Sequence, residues 1–260
     1  MGDKLHLISA RKRMMKTVHA FWEQRNLGVN CYEITVELDD SIDKVNEVIS
    51  KIEGEYLVVK VPTEMPNVSM YLQGIGFNFI ETFINCVNKA ELPKLSNVQK
   101  RFVESLIYLE MVPVDLDELF VEIKNNMFEN DRVSMDNTFT QEQANNRYVG
   151  WICDEISLGS KVYKMIFKDS IVGFFVLRKP DDKTLVAVLG GIYEKYRSYG
   201  FGFCMNYLQI TEGIKQNVNR INASFSTNNR ASSAMHFALN YHLERQFYVF
   251  VNHRKGKYSE

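Results

Sequence analysis

The chain lacks most of the marks that sort a protein at sight. Its four cysteines, Cys31, Cys86, Cys153 and Cys204, form no Cys-x-x-Cys pair and stand near no histidines at ligand spacing. A disulfide scaffold and a zinc site both need closer patterning, so no metal is expected and buried free thiols in a reducing cytoplasm are. Charge of either sign is not in excess: 31 basic residues face 32 acidic ones, for a net charge of −1 and a pI near 6.5. That balance gives no electrostatic footprint for nucleic acid or an anionic membrane. No apolar run approaches the roughly 18 residues that span a bilayer. The basic residues Lys4, Arg11, Lys12, Arg13 and Lys16 are followed by no apolar core. They are expected on the solvated face of a first helix and not in a secretion signal. With 45% hydrophobic residues over 260 positions, the chain can form one large domain or two modest ones.

What the sequence does contain is Arg197-Ser198-Tyr199-Gly200-Phe201-Gly202, an R-x-x-G-x-G run between a strand and a helix. Before it, Thr184-Leu185-Val186-Ala187-Val188-Leu189 is β-branched and aliphatic and ends in Gly190-Gly191. After it, Phe203, Tyr207, Ile210, Ile214 and Val218 recur at helical spacing. A strand entering a glycine turn that opens a helix gathers free N–H groups and a positive helix end at one point, which suits a diphosphate. Taken alone, such a turn is common and needs no ligand. A dinucleotide site would require a third glycine, where Met205 stands, and a β-α-β unit led by this strand. RNA stacking on Phe201 and Phe203 would require them on a strand, against the helical periodicity that follows.

The surroundings raise the weight of the run. Residues 162–167 and 171–178 read as strands joined by Asp169-Ser170, and Pro180-Asp181-Asp182-Lys183 turns the chain into 184–189. Residues 221–227 read as a strand, 229–239 as a helix and 247–252 as a last strand. That helix carries a second pattern, Asn229-Arg230-Ala231-Ser232-Ser233-Ala234-Met235-His236-Phe237-Ala238-Leu239-Asn240-Tyr241. Together with Ile192-Tyr193-Glu194-Lys195-Tyr196-Arg197 and the glycines after it, this resembles the signature of the GCN5-related N-acetyltransferases. In that family an apolar residue, a turn, Arg or Gln and two glycines are followed by N-x-x-A-x-x-L-Y-x-x-x-G-F. His236 stands in place of Tyr, Asn240 in place of Gly and Tyr241 in place of Phe. Asn is the commonest substitute for glycine at a left-handed helix end. Residues 128–136, with Phe128, Arg132 and Asp136 four apart, precede Tyr148, Trp151 and Ile152. The arrangement is similar to F-x-x-x-R-x-x-x-D … Y-x-x-W-I of acetyltransferases acting on nucleotide-linked amino sugars, such as the dTDP-fucosamine acetyltransferases. An Arg and an Asp at that spacing can also pair with each other.

The resemblance implies an α/β (α+β) fold with a mixed, mostly antiparallel central sheet flanked by helices. It implies a cytoplasmic enzyme, an acyltransferase, moving acetyl from acetyl-CoA to a primary amine by direct attack. The first-choice acceptor is a nucleotide-linked amino sugar. Acetylation of an amino acid, polyamine or protein N-terminus, or acyl-CoA binding without catalysis, are the alternatives. Gly191, Ile192, Arg197, Ser198, Tyr199, Gly200, Phe201, Gly202, Phe203 and Asn229 would hold the coenzyme A moiety, with Asn229 alternatively capping the helix. Gly190-Gly191 is the expected place of a β-bulge. His236 is the candidate proton donor to the departing thiolate, or else a base, or a packing residue; Glu194 and Glu155 are further base candidates. Arg132, Asp136 and Tyr148 would meet the acceptor. The partner is a small-molecule amine, with no nucleic acid or membrane, and a homodimer is compatible with this reading.

The first ninety residues read as a helix at 7–24, a strand at 32–38, a helix at 41–52 capped by Ser41, a strand at 55–61, a short helix at 66–74 and a strand at 79–87. This β-α-β-α-β order repeats the end of the chain. Leu72-Gln73-Gly74-Ile75-Gly76-Phe77 can be laid over His236-Phe237-Ala238-Leu239-Asn240-Tyr241, and Glu81-Thr82-Phe83-Ile84 follows at the same distance as Arg245-Gln246-Phe247-Tyr248. Duplication is suggested. The first copy has no counterpart of Arg197–Gly202 and is expected to be a truncated, ligand-free half over residues 1–95. Residues 90–98, with Pro93, would link it to a full domain over 96–260. That domain is expected to open with a strand within 102–112 and a helix at 116–127, with a further helix at 148–156.

Overall fold

The computed structural model describes residues 14–254. Apolar alternation and helical periodicity produce most of the expected elements with shifted ends, but the second half opens with a helix at Asn97–Glu104, capped by Ser96, ahead of the strand expected within 102–112. The first half runs β1 (Lys16–His19), α1 (Phe21–Leu27), β2 (Cys31–Thr35), α2 (Ile42–Lys51), β3 (Tyr56–Pro62), α3 (Pro66–Gly74) and β4 (Asn78–Asn88). The second runs α4 (Asn97–Glu104), β5 (Ile107–Glu110), α5 (Pro113–Lys124), α6 (Gln141–Ser157), β6 (Lys161–Phe167), β7 (Ser170–Asp181) and β8 (Thr184–Ile192). A 3-10 turn (Glu194–Tyr199), α7 (Phe201–Lys215), β9 (Arg220–Ser226), α8 (Arg230–Ala238) and β10 (His242–His253) complete it. The helix expected over 7–24 is replaced, within the described residues, by β1 and a short α1; its residues 7–13 lie outside them. Thr17 and Val18 are β-branched and pair with Ile34 and Glu33 of β2, which a helix could not do. Cys31, Cys86 and Cys204 are buried thiols as expected, but Cys153 is exposed on α6. Among the described residues no helix is long and apolar enough to cross a membrane.

Among the described residues, ten strands form one sheet in the order β1-β2-β3-β10-β4-β9-β8-β7-β6-β5. Only β2–β3 and β8–β9 are parallel; the other neighbours are antiparallel. The two halves exchange their last strands. β10, at the end of the second half, lies between β3 and β4, while β4, at the end of the first, lies between β10 and β9.

The register of this exchange is that of a local two-fold axis. Phe83 pairs with Phe247, its own counterpart 164 positions on, while Thr82 and Ile84 pair with each other's counterparts, Tyr248 and Gln246. The same offset carries Phe247↔Pro62 onto Phe83↔Ser226. It also matches the helix ends: Phe77 N–H bonds Leu72 O at 3.0 Å, and Tyr241 N–H bonds His236 O at 3.1 Å. Gly76 (φ 88°) and Asn240 (φ 61°) both take the left-handed position between them.

Core residues line both faces of the sheet, with period two along each strand. Phe174 and Val176 of β7 pack under Leu119 and Ile123 of α5 and Ile152 of α6. Phe175 and Leu177 point the other way, to Val103 of α4 and Phe201, Cys204 and Leu208 of α7. In the first half Ile34, Leu57, Val59 and Phe250 pack under Val45 and Ile49 of α2 and Val68 and Leu72 of α3.

A buried ion network closes the remaining face over β2 and β3. Arg132, in the segment between α5 and α6, donates to Glu23 of α1 at 2.7 Å and to Glu33 of β2 at 2.6 Å. Arg147 of α6 donates to both oxygens of Glu23 at 2.9 Å, and Lys60 of β3 reaches Glu33 at 3.1 Å. Burial alone would raise Glu33, but Arg132, Lys60 and Arg147 outweigh it and hold that carboxyl well below the usual range. Nearby, His253 of β10 meets Asp136 at 2.7 Å and stacks on Tyr56, tying the last strand to the same segment.

Removing one member of such a network leaves its partners charged and buried. Arg132→Met is therefore expected to cost about 3–5 kcal/mol in urea unfolding near pH 7. A loss under about 1 kcal/mol would show that Glu23 and Glu33 are satisfied without it.

Candidate functional site

The parallel pair β8–β9 begins like its counterpart β2–β3 and ends differently. β2 and β3 remain paired through Thr35↔Lys60, and Val36 N–H continues the ladder to Lys60 O at 2.9 Å. β8 and β9 pair from Thr184↔Arg220 to Ala187↔Ala223 and no further. Beyond that point each strand keeps its other neighbour: Leu189 to Ile192 stay on β7, while Ser224, Phe225 and Ser226 stay on β4. A bulge starts the separation. Leu177 faces Ala187 and Val176 faces Leu189, which leaves Val188 extra. The bulge is thus at Val188 and not at Gly190-Gly191.

The glycines have another use, close approach. A Cβ on Gly190 would lie 2.7 Å from Met205 Sδ, and one on Gly191 would lie 2.5 Å from Met127 Sδ and 3.1 Å from Phe174. On Gly202 it would lie 2.6 Å from Met235 Sδ. Three unbranched thioethers therefore stand against the glycine walls of the wedge, and this side chain readily repacks.

Cys31↔Tyr56 and Thr184↔Arg220 are equivalent pairs, 25 and 36 residues apart along the chain. The extra eleven residues of the second half are accommodated around the glycine turn. Arg197, Ser198, Tyr199 and Gly200 are exposed there, and Gly200 (φ 80°) takes the left-handed conformation that costs glycine least. Phe201 then starts α7, fully buried between Phe102 and Tyr199, with ring centroids 5.2 and 5.7 Å away. Anchored in this way, the helix begins with the N–H groups of Phe201 and Gly202, ahead of its first bond from Phe203 N–H to Gly200 O at 3.2 Å. Arg197 donates to the carbonyls of Asn126 and Met127 at 3.1 and 3.0 Å, fastening the turn to the segment after α5. Phe203 is half-buried against the core, and Ile192 borders the wedge beside Gly191. Asn229 caps α8, accepting from Ser232 N–H at 3.0 Å.

His236 is 7% exposed on α8 and stacks at 4.8 Å on Phe225, a residue of β9 beyond its pairing with β8. Its Nδ1 lies 2.8 Å from Ser232 O, which makes Nδ1 the protonated nitrogen and leaves Nε2 an acceptor. Burial lowers its pKa against the smaller opposing effect of the Ser232 bond. The imidazole at neutral pH is a base and not an acid.

On the opposite face, Phe128 lies beside Gly191 and stacks on Tyr148 at 4.1 Å. Tyr148 donates its hydroxyl to Asp131, which also accepts the N–H groups of Val133 and Ser134 at 2.6 and 3.2 Å. Arg132, Asp136 and Tyr148, expected to meet an acceptor, all have internal partners: Glu23 and Glu33, His253, and Asp131. Glu155 binds Arg178 at 2.7 Å and Ser160 at 2.5 Å and braces α6 against the sheet; Glu194 is exposed in the 3-10 turn.

A residue not singled out in the sequence completes this face. Glu81 of β4 is 5% exposed, and its carboxyl, hydrogen-bonded by Ser226, is raised above the usual range by burial. Its one sequence mark is a lone carboxylate in the otherwise aromatic and apolar strand Phe79-Ile80-Glu81-Thr82-Phe83-Ile84.

No protein-family model matches the sequence, and no curated protein matches it. Solved structures do share the fold. A conserved protein of unknown function from Staphylococcus epidermidis aligns over 87% of this chain and 85% of its own, at 13% identity and a TM-score of 0.59. A GCN5-related N-acetyltransferase from Sphaerobacter thermophilus aligns over 93% and 77%, at 10% identity and 0.59. A tandem GNAT protein from the clavulanic acid biosynthesis pathway aligns over 86% and 75%, at 10% identity and 0.52. The chain therefore has the fold of the GCN5-related acetyltransferases, including their tandem form.

The buried His236 makes stability depend on pH in a defined direction. Its contribution is complete above the unfolded value of about 6.5 and is lost as pH falls toward the lower folded value. His236→Phe, which cannot take up the proton, is expected to change the urea midpoint by less at pH 5.5 than at pH 7.5, relative to wild type. A difference that stays constant would refute the assignment of a neutral imidazole.

Proposed function

We propose that this protein is an N-acetyltransferase that moves an acetyl group from acetyl-CoA to a primary amine by direct attack in a ternary complex. The observation that carries the reading is the separation of β8 from β9 beside a glycine turn that opens α7. The wedge offers a backbone edge at residues 188–192, and the turn brings the N-terminal end of α7 a short distance along the same chain. These features are absent from the closed β2–β3 pair of the first half.

The residues present fit a thioester of coenzyme A. Backbone amides of Tyr199, Gly200, Phe201 and Gly202 would hold the diphosphate, with the helix end contributing roughly 0.3–1 kcal/mol toward an anion. Gly191 and Ile192 would pair with the pantetheine arm as an added strand, and an amide there would serve the developing oxyanion. Met127, Met205 and Met235 would repack to admit the arm, and Arg197 would release or share its two carbonyls. His236 borders the thioester side as a neutral imidazole. It can donate to sulfur only after taking up a proton against its burial, and a thiolate, with a pKa near 8.5, leaves without strong acid help. Holding donor and amine together supplies most of the rate, since effective molarities reach about 10⁵ M.

The amine would approach from the α6 face, past Phe128, Tyr148 and Asp131. A nucleotide-linked amino sugar is the first acceptor to assay, on the similarity around Arg132 and Asp136. The internal partners of those two residues place amino acids, polyamines and peptide N-termini beside it in the same panel.

Binding of acetyl-CoA at about 100 times its Kd is expected to add roughly 2.7 kcal/mol of stability and raise the Tm by several degrees. A flat thermal-shift and calorimetric response at millimolar acetyl-CoA would refute the donor. Gly202→Val, which forces Met235 aside and crowds the start of α7, is expected to weaken this binding at least about tenfold.

A further inference from the structure

We propose that the first half supplies a catalytic residue to the second: Glu81, carried into the wedge by the exchanged strand β4, takes the proton of the attacking amine. The proposal rests on the acyl-transfer reading above and adds to it the group that acts as base.

The position follows from the exchange. Glu81 and Phe83 point to the α6 side of the sheet, where Phe83 joins Tyr56 and Val249, while Ile84 and Cys86 point to the α7 side. The β4–β9 ladder ends at Phe83↔Ser226, and Glu81 lies just beyond it. There β4 holds the turn from β9 to α8: Thr227 N–H bonds Thr82 O at 2.9 Å, and Asn228 Nδ2 reaches Ile80 O at 3.4 Å. The carboxyl therefore sits at the open end of β9, where β8 has moved away. Asp131 and Tyr148 lie close enough to act on it electrostatically, and Tyr148 in turn stacks on Phe128, which lies beside Gly191 on the other side of the wedge.

Its surroundings distinguish it from the other buried acids. Glu23 and Glu33 are bonded by arginine or lysine. Glu81 is bonded by the Ser226 hydroxyl, and its charged and titratable neighbours are Arg132, Asp131, Lys60 and Tyr148. Arg132 and Lys60 bond Glu33, Arg132 also bonds Glu23, and Asp131 is of like charge. A carboxyl buried without a bonded cation retains affinity for a proton, which is what a base for an amine near neutral pH requires. A satisfied structural glutamate would have the same contacts but no influence on the pH dependence of turnover.

The step balances as follows. The ammonium gives one proton to a Glu81 oxygen, the neutral nitrogen then bonds to the thioester carbonyl carbon as the carbonyl π pair moves to oxygen, and the nitrogen passes a second proton to solvent as the intermediate collapses. The C–S bond breaks with its electron pair leaving on sulfur, and the thiolate takes a proton from solvent. Glu81 returns its proton to solvent. An ammonium and an acyl thioester give an amide, a thiol and one released proton.

The test compares wild type and Glu81→Gln by acetyl-CoA calorimetry and by thiol release over the amine panel from about pH 5.5 to 9.5. Glu81→Gln is expected to bind acetyl-CoA within about twofold of wild type. Its kcat should fall about 100-fold at pH 7, with the gap closing toward pH 9.5 as solvent deprotonates the amine. Ser226→Ala removes the bond that lowers Glu81, so it should move the acid limb of kcat to higher pH; it provides the same test if Glu81→Gln does not fold. A wild type that does not bind acetyl-CoA overturns the acyl-transfer reading itself. A wild type that binds and turns over overturns the role of Glu81 alone if Glu81→Gln keeps kcat within about threefold, or loses the same factor at every pH, or if the Ser226→Ala limb stays in place. Binding without thiol release on any amine leaves no transfer for Glu81 to serve and overturns it too.

Discussion

The reciprocal pairing of β4 and β10 is the constraint on which the rest of the molecule depends. Each half of the chain alone would leave β3 or β9 with an open edge, and each edge is filled by the other half's last strand. The fill is in register about Phe83 and Phe247, so the strands match as self-complementary partners would across a dimer axis. The buried charges Glu23, Glu33, Arg132, Arg147 and Lys60 then close the joint from above, using residues of both halves. Neither half has a complete sheet of its own.

From that shared plan the two halves diverge at one place. β2 and β3 stay bonded to their ends, while β8 and β9 separate after four pairs because a bulge at Val188 redirects β8 and β7 keeps hold of it. The eleven additional residues supply the exposed glycine turn and the first turn of α7. A modest change in the length and composition of one connection thus converts a closed pair of strands into a wedge with an anion-binding helix end beside it. The closed half contributes rigidity and one strand, and through that strand it reaches the wedge.

Much of this was legible in the sequence, and what was not has a physical reason. The strands around Arg197–Gly202, the helix with Asn240 at its left-handed end and the overlay of residues 72–77 on 236–241 all follow from local periodicity and turn chemistry, which the chain carries residue by residue. Pairing partners are not carried that way. The alternation of β10 marks a strand but not that it lies inside the first half, and the glycines 190 and 191 mark a tight place without telling a bulge from a close contact. Arg132 reads as a ligand for substrate because its carboxylate partners lie 109 and 99 residues away in the chain. Glu81 is marked locally only as a lone carboxylate in an apolar strand, since a carboxylate acquires its character from burial.

The exchange also sets an order of assembly. During synthesis the first half emerges with β3 and β4 complete, but the strand that belongs between them, residues 242–253, is made only after all the other strands of the second half. Until then an apolar β3, Tyr56 to Pro62, has one unpaired edge, and α2 and α3 cover a sheet that is still missing a member. Contacts of such long sequence separation form late and slowly, and an open apolar edge held for that interval invites pairing with the wrong chain. The sheet of the first half therefore stays incomplete until β10 is made, and whatever covers the edge of β3 in that interval protects the chain from mispairing.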